Sequence, residues 1–400
     1  MSRPLKIMLV AAEASGDGLG AGLARALKDR LGDAVTFVGV GGPRMAAEGV
    51  ESPFDIGELS ILGLIEGLRA YGRVKRRVAE TAALAAREAP DAVVLIDSWG
   101  FTIRVAQAIR TASPKTPLIK YVGPQVWASR PGRAKTLAGA VDHLLALYGF
   151  DAPWFEREGL PVTVVGSSAL HVDMSGADGA AFRARRGIAP DASLLLVLPG
   201  SRPGEIARMT PVYEATAKRL KGEIPGLEVA VAAAGTVATD VTSRVAAWPF
   251  RAHLVDETEK YDAMAAADAA LATSGTVSTE VALAGAPMVI AYRMDGLSWA
   301  VIKRIATTKY VTLFNVAADA SIAPEYLQGE ATPDKLAAAA GRLLTDREAA
   351  ADQARRQTEA LDLMGRGGPD PSQLAADAVL RVIVEKAGGQ EAGASSPRSR

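Results

Sequence analysis

The sequence predicts an α/β protein with two doubly wound domains that face each other across a cleft. Short apolar runs alternate with longer Ala-rich amphipathic stretches along the chain. The apolar runs are continuous, as in strands buried on both faces of a parallel sheet. This pattern restarts near residue 193, and 400 residues allow two or three domains of ~100–200 residues. In such folds ligands bind beyond the carboxyl ends of the strands.

The elements follow in order along the chain. An apolar run at residues 5–12 ends in a Gly-rich turn, and helical spacing follows at 19–31. Further strands of the first half are predicted at 35–40, 92–96, 118–122, 143–147 and 162–165. Those of the second half are predicted at 193–198, 227–234, 269–272 and 287–292.

We therefore expect an N-terminal domain over residues 1–170 and a C-terminal domain over 171–366. The Gly-, Ala- and Asp-rich stretch 175–192 is the predicted linker. A last helix is predicted within 367–387, and the Gly-, Ser- and Pro-rich residues 388–400 are predicted to form a disordered tail.

Composition excludes several classes of function. Lys+Arg 45 and Asp+Glu 45 give zero net charge, so the global basic field of a dedicated nucleic-acid binder is missing. Without cysteine, disulfides, thiolate nucleophiles and Cys-ligated metals are excluded. His143, His171 and His253 lie far apart in the sequence, and we expect no metal site. We also expect no signal peptide and no membrane-spanning helix, which indicates a cytoplasmic location.

The turn after the first strand reads Glu13-Ala14-Ser15-Gly16-Asp17-Gly18-Leu19-Gly20-Ala21. It satisfies the relaxed G-x-G-x-x-G/A pattern of dinucleotide sites. However, the second strand is followed by Gly41-Gly42-Pro43, without the carboxylate that would bind a ribose. Two other interpretations stay open: glycines that permit a tight turn, or a different polar ligand that hydrogen-bonds to Ser15 and Asp17.

Asp97 ends the most apolar run of the first half. A carboxylate at the carboxyl end of a central strand points into the cleft, and partial burial suits it to general-base work. The alternative is an Asp that caps the next helix.

Two loops of the second half suit an anionic ligand. Gly200-Ser201-Arg202-Pro203-Gly204-Glu205 and Thr273-Ser274-Gly275-Thr276-Val277-Ser278-Thr279-Glu280 each follow a strand. Helix N-termini and a guanidinium stabilise phosphate oxygens, and Glu280 is placed to accept two sugar hydroxyls. Two such loops favour a nucleotide diphosphate, and the missing G-x-x-x-x-G-K-[ST] motif argues against a P-loop NTPase. The alternatives are a simple turn and a capped helix.

Two stretches combine apolar and basic residues, a composition typical of helices that lie on anionic lipid. In the first, the predicted membrane contacts are Ile61, Leu62, Leu64, Leu68, Arg69, Arg73 and Arg76. The second covers residues 297–305. The alternative is an ordinary amphipathic helix with a solvated basic face. Beside a sugar-nucleotide site, the two stretches suggest an acyl-bearing substrate drawn from a membrane.

From about residue 7 to residue 384 the chain resembles the lipid-A-disaccharide synthases. The matching motifs are Glu13-Ala14-Ser15-Gly16-Asp17, Ile96-Asp97-Ser98, Pro124-Gln125-Val126-Trp127-Ala128, Pro199-Gly200-Ser201-Arg202 with Glu205, and Ser274-Gly275-Thr276. Residues 37–45, 63–66, 287–289, 292–294 and 310–315 match as well. So many matches in the same order are more specific than any single motif.

The resemblance implies a GT-B fold of two Rossmann-like domains, with the C-terminal helix returning to the N-terminal domain. It implies a metal-independent, inverting glycosyltransferase without a cofactor. The donor is expected to be UDP-2,3-diacylglucosamine and the acceptor 2,3-diacylglucosamine 1-phosphate (lipid X), with lipid A disaccharide 1-phosphate and UDP as products. The family also implies a homodimer and peripheral association with the cytoplasmic face of the inner membrane.

The resemblance makes Asp97 the leading candidate for the general base and assigns UDP to the C-terminal domain. The predicted donor-binding residues are Gly200, Ser201, Arg202, Glu205, Ser274, Gly275, Thr276, Glu280, Arg293 and Asn315. The predicted polar residues on the acceptor side are Glu13, Ser15, Asp17 and Gln125.

The chain departs from the family pattern at three places. The family's Asp-Ser/Ala-Pro-Asp-Phe-Asn is Asp97-Ser98-Trp99-Gly100-Phe101-Thr102 here, without the second carboxylate. Gly166-Ser167-Ser168-Ala169-Leu170 replaces Gly-His-Pro-Leu, and Tyr148-Gly149-Phe150-Asp151 replaces Leu-Pro-Phe-Glu. Two other functions therefore stay open: a diverged UDP-sugar glycosyltransferase or epimerase with another acceptor, and a non-catalytic module that binds UDP-sugar or lipid.

Overall fold

The computed structural model describes residues 3–59 and 64–394, with side chains except at 64–70, 297 and 389–394. Within these residues the chain forms two compact units. Unit 1 comprises residues up to Ser167 together with those from Gly368 onward, and unit 2 comprises Ser168–Gly367.

In the described part of unit 1, one parallel sheet has the strand order β2-β1-β3-β4-β5-β6. Its strands are β1 Leu5–Ala11, β2 Val35–Val40, β3 Ala92–Ile96, β4 Leu118–Tyr121, β5 His143–Ala146 and β6 Val162–Val164. Its first helices are α1 Ala14–Leu31, α2 Pro43–Ala47, α3 Leu64–Glu88, α4 Trp99–Ala112, α5 Arg133–Ala138 and α6 Ala152–Glu156.

In the described part of unit 2, a second parallel sheet has the order β12-β11-β10-β7-β8-β9. Its strands are β7 Leu194–Leu198, β8 Glu228–Ala232, β9 His253–Val255, β10 Ala269–Thr273, β11 Met288–Tyr292 and β12 Glu325–Leu327. Its helices are α7 Gly179–Arg186, α8 Pro203–Glu223, α9 Ala238–Ala246, α10 Lys260–Ala266, α11 Val277–Leu283, α12 Gly296–Ile305, α13 Leu313–Ala318, α14 Pro333–Thr345 and α15 Arg347–Leu363. Short 3₁₀ turns lie at Gly32–Ala34, Ile56–Leu59, Ser168–Leu170, Gly235–Val237 and Gln328–Glu330.

Both sheets are covered on two faces, which explains the continuous apolar runs. Successive residues of β1 point to opposite faces. Met8 and Val10 pack in the cluster that contains residues of α3 and α4. Ile7 and Leu9 pack in the cluster with α1 and the last helix, α16 Pro371–Ala394. The predicted α/β fold of two doubly wound parallel sheets is confirmed.

The return of α16 to unit 1 is held by polar contacts as well as apolar ones. The Nε of Arg30 in α1 lies 2.6 Å from Oδ1 of Asp377, and its Nη2 donates to the carbonyl of Gln373 at 2.8 Å. Val379 and Val382 lie in the same buried cluster as β1. Helix α16 therefore packs on the unit that contains β1.

Each sheet has one point where the chain reverses its direction of winding. In unit 1 this topological switch point lies between β1 and β3, and in unit 2 it lies between β7 and β10. Loops that leave neighbouring strands in opposite directions open a crevice there, which is where open α/β sheets bind ligands. The loops that the sequence analysis predicted to bind ligands or carry the general base follow these four strands.

The structure also differs from the sequence-based expectations. β9 and β12 were not predicted, because these three-residue strands each begin with a polar residue and do not form a continuous apolar run. The stretch 175–192, predicted as a linker, contains α7, and Arg183 of α7 donates to the carbonyl of Ala266 at 2.7 Å. α16 runs on through Ala394, past the predicted end at 387, and residues 395–400 lie outside the described part.

Candidate active site

In unit 1, the turn after β3 has a strained backbone. Asp97 and Ser98 are consecutive non-glycine residues with φ values of 49° and 40°. Such left-handed residues cost of order 1–3 kcal/mol each and persist only where the surroundings hold them. Ser98, rather than Asp97, is the N-cap residue of α4, so the helix-capping alternative for Asp97 is wrong.

Two side chains at the start of α1, those of Glu13 and Ser15, hydrogen-bond to this turn. Ser15 Oγ donates to Oδ2 of Asp97 at 3.0 Å, and Ser98 Oγ donates to Oε1 of Glu13 at 2.9 Å. The loops after β1 and β3 are thus joined by two hydrogen bonds across the switch point. Among the described residues, no group donates a hydrogen bond to the other carboxylate oxygen of Asp97, Oδ1.

Lys120 lies beneath the same turn, and the sequence analysis missed it. Its side chain is 2% exposed, and Nζ donates to the backbone carbonyl of Asp97 and, at 2.9 Å, to Oγ1 of Thr102. Burial lowers the pKa of Lys120 to about 7, although the nearby Asp97 and Glu13 act to raise it. The one available signal was a lysine inside an otherwise apolar strand.

The other polar residues predicted for the acceptor side have separate environments. Asp17 is buried and accepts from the backbone N–H groups of Gly42, Arg44 and Met45 at 2.8–3.0 Å. Its carboxylate thereby closes the β2–α2 loop. Gln125 is exposed in the loop after β4, next to β3 in the sheet.

The glycine pattern of the first loop has a packing explanation. A Cβ on Gly16 would lie 3.2 Å from Cβ of Ala11, and one on Gly20 would lie 2.5 Å from Sδ of Met45. These glycines let α1 approach β1 and α2 closely.

A cavity of about 320 Å³ lies beside the strained turn. Its polar lining comes from Glu13, Ser98 and Arg104, and its apolar lining includes Trp99 and Tyr71. Gly100, where the family has a carboxylate, also lines the cavity. The guanidinium of Arg104 donates to the carbonyl of Gly100, so this wall is cationic where the family pattern is acidic.

The first apolar and basic stretch is only partly described. Ile61 and Leu62 lie outside the described residues, as do the side chains of Leu64, Leu68 and Arg69 in α3. Arg73 Nη1 donates to the carbonyl of Glu58 at 3.4 Å, and Arg76 lies 3.8 Å from Glu80. No helix among the described residues is long and apolar enough to cross a membrane.

The departure at residues 148–151 forms a compact aromatic group in unit 1. The rings of Tyr148 and Phe150 are stacked with centroids 5.1 Å apart, and Trp127 meets Phe150 edge-on at 5.5 Å. Asp151 accepts from Nε1 of Trp127 at 2.9 Å. Burial raises the pKa of Asp151 to about 6, although this bond and one from the Tyr148 backbone act to lower it.

In unit 2, a pocket of about 290 Å³ lies at the switch point. The loops after β7 and β10, predicted separately, form two of its walls, and residues 232–234 at the carboxyl end of β8 form a third. The predicted residues that line it are Gly200, Ser201, Arg202, Glu205, Ser274, Gly275, Thr276 and Glu280. The structure thus brings together eight of the ten residues predicted for the donor site.

Glu205 organises the first of these loops. Its Oε2 accepts from the backbone N–H groups of Ser201 and Arg202 at 3.1 and 3.3 Å, and its Oε1 accepts from Nη1 of Arg202 at 3.1 Å. Gly200 has a φ of 117°, and a Cβ there would lie 2.7 Å from Oε2 of Glu205. These two amides are therefore occupied, and the loop offers a ligand mainly the guanidinium of Arg202, whose side chain is 73% exposed.

The loop after β10 offers backbone amides instead. No group in the described part of the chain accepts a hydrogen bond from the backbone N–H of Gly275 or Thr276. Ser278 Oγ donates to the carbonyl of Gly275 at 2.7 Å and fixes the turn. Amides held in this way suit an anionic oxygen.

Lys260 was also missed by the sequence analysis. It lies at the start of α10 and forms ion pairs with Glu257 at 2.8 Å and Glu280 at 3.2 Å. Burial works against its charge, but these pairs raise the pKa of Lys260 above its ordinary value. The hydroxyl of Tyr261 donates to Oε1 of Glu280 at 3.4 Å, so Glu280 is fixed from two sides.

Arg293 and Asn315, the other two predicted donor residues, do not line this pocket. Arg293 donates to the backbone carbonyls of Gln328 and Ala331 at 3.2 and 2.7 Å. The buried side chain of Asn315 bonds to Ala323 and Glu325 and accepts from two backbone N–H groups. Both side chains hold the segment around β12 in place. A match to a family motif does not distinguish this structural role from contact with a ligand.

No group of three or more His, Asp or Glu side chains in the described residues is placed to hold a metal ion. The charged residues that line the unit 2 pocket are Arg202, Lys260 and the three glutamates that pair with them, Glu205, Glu257 and Glu280. This arrangement can bind a diphosphate through a guanidinium and backbone amides, and hydroxyls through Glu280.

Comparison with known proteins identifies related sequences over the whole chain. A family described as lipid-A-disaccharide synthetase matches residues 7–379. A lipid-A-disaccharide synthase of Rhodospirillum centenum is 44% identical over 399 residues, 100% of each chain. One of Paramagnetospirillum magneticum is 45% identical over 94% of this chain and 97% of its own.

Solved structures agree in fold. The Staphylococcus aureus MnaA–UDP structure has a TM-score of 0.62 at 14% identity, covering 96% of this chain and 97% of its own. A kitacinnamycin glycosyltransferase has a TM-score of 0.59 at 17% identity, covering 96% and 100%. At these identities the likeness is one of fold, that of the GT-B glycosyltransferases.

Proposed function

Because the chain belongs to the lipid-A-disaccharide synthase family, we propose that its two units divide that family's reaction, unit 2 binding the donor and unit 1 the acceptor. The chain is a glycosyltransferase of lipid A biosynthesis. It joins UDP-2,3-diacylglucosamine to 2,3-diacylglucosamine 1-phosphate, giving the disaccharide 1-phosphate and UDP.

One observation carries the assignment of the donor to unit 2. The pocket at its switch point combines the exposed guanidinium of Arg202 with the backbone amides of Gly275 and Thr276. These groups stabilise the charge that develops on the diphosphate as UDP leaves. Glu280, fixed by Lys260 and Tyr261, accepts hydroxyls of the nucleotide sugar.

The general base of the proposal is Asp97. Direct displacement at the anomeric carbon inverts its configuration and needs a group that takes the proton of the attacking 6-hydroxyl. Ser15 holds one oxygen of the Asp97 carboxylate at 3.0 Å, and the other is available for that proton. Glu13 and Ser15 act here as orienting groups, and Asp17 acts on the loop rather than on the substrate.

The acceptor site of the proposal is the cavity beside Asp97. Arg104 supplies a cation for the 1-phosphate, while Tyr71 and Trp99 line the side expected to meet acyl chains. In this proposal α3, with Arg73 and Arg76, rests on the cytoplasmic face of a membrane from which the acceptor is drawn. Gln125, in the loop after β4, is assigned to the same side, and the homodimer stays a prediction from the sequence.

An assay of UDP release tests the proposed function. The purified chain is incubated with UDP-2,3-diacylglucosamine, with and without 2,3-diacylglucosamine 1-phosphate. Release that requires this acceptor is the expected result. Release with a different sugar acceptor instead indicates a diverged transferase, and binding without release indicates a non-catalytic module, so either result contradicts the proposal.

A further inference from the structure

Unit 2 contains a second cavity next to the donor pocket, and its character is different. It has a volume of about 200 Å³. Met294, Trp299, Ile302, Val311 and Leu327 give it a mainly apolar lining. Trp299 and Ile302 belong to α12, the second apolar and basic stretch, which the proposed function leaves without a role.

Two contacts connect this cavity to the donor pocket. Ser274 lines both of them. Tyr292 lines the apolar cavity, and its hydroxyl donates to Oε1 of Glu205 in the donor pocket at 3.3 Å. A ligand in the donor pocket therefore has an apolar space directly beside it.

We propose that this cavity binds an acyl chain of the sugar-nucleotide donor. The inference rests on the proposed function, because it takes unit 2 to be the donor site. An apolar cavity of ~150 Å³ holds benzene and stays free of water. By that measure about 200 Å³ accommodates roughly eight carbons of a chain.

The exposure pattern of α12 fits a wall of such a cavity. Ile302 lines the cavity and is still 38% exposed, which leaves apolar surface for a ligand to cover. Val301 is 42% exposed but does not line the cavity. Neighbouring positions of one helix thus differ in whether they face the proposed chain, and they provide a matched pair for a test.

The first test varies the ligand. UDP-N-acylglucosamines that differ only in the length of one acyl chain, from two to fourteen carbons, are titrated into the full chain below their aggregation concentrations. Affinity is expected to rise by up to about fourfold per methylene and to level off near eight carbons. If UDP binds but chain length has no effect, the inference fails alone. If UDP does not bind, the proposed function fails as well.

The second test varies the protein. Ile302→Asp is expected to weaken binding of the octanoyl nucleotide at least tenfold and to leave UDP affinity unchanged. Val301→Asp introduces the same charge on the same helix and is expected to change neither. Equal losses in both variants, or no loss in Ile302→Asp, overturn the inference. Loss of vesicle binding in both variants with unchanged octanoyl affinity would instead make α12 a membrane contact.

A third variant acts from the opposite wall. Leu327→Trp fills the cavity without adding charge, and it is expected to reduce the affinity gain from a longer chain while UDP affinity stays the same. Thermal unfolding of all three variants establishes that they are folded. Unchanged chain-length dependence in folded Leu327→Trp contradicts the proposal even if Ile302→Asp behaves as expected.

Discussion

The switch point of each unit lies beside the first strand of its sheet, but the two carry different chemistry. In unit 1 the loops present Glu13 and Asp97, linked to the hydroxyls of Ser98 and Ser15. In unit 2 they present the guanidinium of Arg202 and the backbone amides of a small-residue turn. The topology determines where each crevice opens, and the loop residues decide whether it takes up a proton or stabilises an anion.

The two regions also hold their lysines differently. Lys120 in unit 1 is buried and donates hydrogen bonds to a carbonyl and a hydroxyl. Its burial lowers its pKa to about 7. Lys260 in unit 2 is paired with two glutamates, and its pKa is raised. A buried cation with neutral partners can lose its charge near neutral pH, whereas a paired one keeps it. The following predictions test the differences between the two units, from the largest expected effect to the smallest.

The largest effect is expected from Asp97→Asn. Loss of the general base should lower turnover by ~100-fold or more and leave UDP affinity unchanged, because UDP is assigned to unit 2. Steady-state kinetics and a UDP titration measure the two quantities. Asp91→Asn, at the amino end of β3, is the control and should keep its turnover. Near-normal turnover in Asp97→Asn would remove Asp97 from the role.

Arg202→Ala should produce the converse result. UDP binding should weaken by roughly 1.5–3 kcal/mol, the contribution of a charge-assisted hydrogen bond, and acceptor affinity should be unaffected. Calorimetric titration with UDP measures the change. Arg219→Ala, at the far end of α8, should bind UDP as the parent chain does. An unaltered UDP affinity in Arg202→Ala would place the diphosphate elsewhere.

Asp151→Asn tests the buried acid of unit 1 through stability. The pKa of Asp151 is about 6 in the folded chain against 3.8 ordinarily, so the folded state binds its proton more tightly than the unfolded state. Stability should fall as pH rises through that interval and stay lower above it. The variant keeps an acceptor for Trp127 and should be more stable than the parent by about 3 kcal/mol at pH 8, since one unit of pKa corresponds to about 1.4 kcal/mol.

At pH 3 the advantage of Asp151→Asn should vanish, because the parent carboxyl is then protonated in both states. Chemical unfolding at the two pH values provides the comparison. A gain that is equal at both would mean that packing, and not titration, distinguishes the variant.

The smallest effect is expected from Lys120→Met. Removing the ammonium from beneath the strained turn should lower kcat roughly tenfold, since ~1.4 kcal/mol of positioning corresponds to that factor, with UDP affinity unchanged. Thr102→Val, which removes one of the two partners of Lys120, should show part of the loss. If Lys120→Met changes stability but leaves kcat and its pH profile alone, the lysine is structural only.

Much of the fold followed from the sequence. The central strands were predicted because both faces of each sheet are buried, and burial on both faces leaves continuous apolar runs such as residues 92–96. The short edge strands β9 and β12 were missed because each begins with a polar residue, whereas the equally short β6 lies in an apolar run and was predicted. Helix α7 was missed because its surroundings are rich in Gly, Ala and Asp. Short length combined with the lack of a continuous apolar run therefore sets this limit.

The candidate site likewise contains residues that the sequence predicted and residues that it did not. The loops at residues 200–205 and 274–280 were predicted from the sequence alone. Each is recognisable from a short run of glycine, hydroxyl and charged residues directly after a strand. Lys120, Lys260 and the separation of Arg293 and Asn315 from that pocket were not found. Lys120 bonds to Asp97, 23 positions away, and Arg293 bonds to Gln328, 35 positions away.

The sequence by itself determined the α/β class, the loops that carry the chemistry and, through ordered motifs, the family. These properties depend on residues that are close together in the sequence. Their periodicity and spacing follow directly from backbone geometry. Only the tertiary structure decided which amides are free, which lysine is buried and which is paired, and that an apolar cavity adjoins the donor pocket. Burial and pairing arise when segments far apart in the chain come into contact, and a local sequence pattern does not predict such contacts.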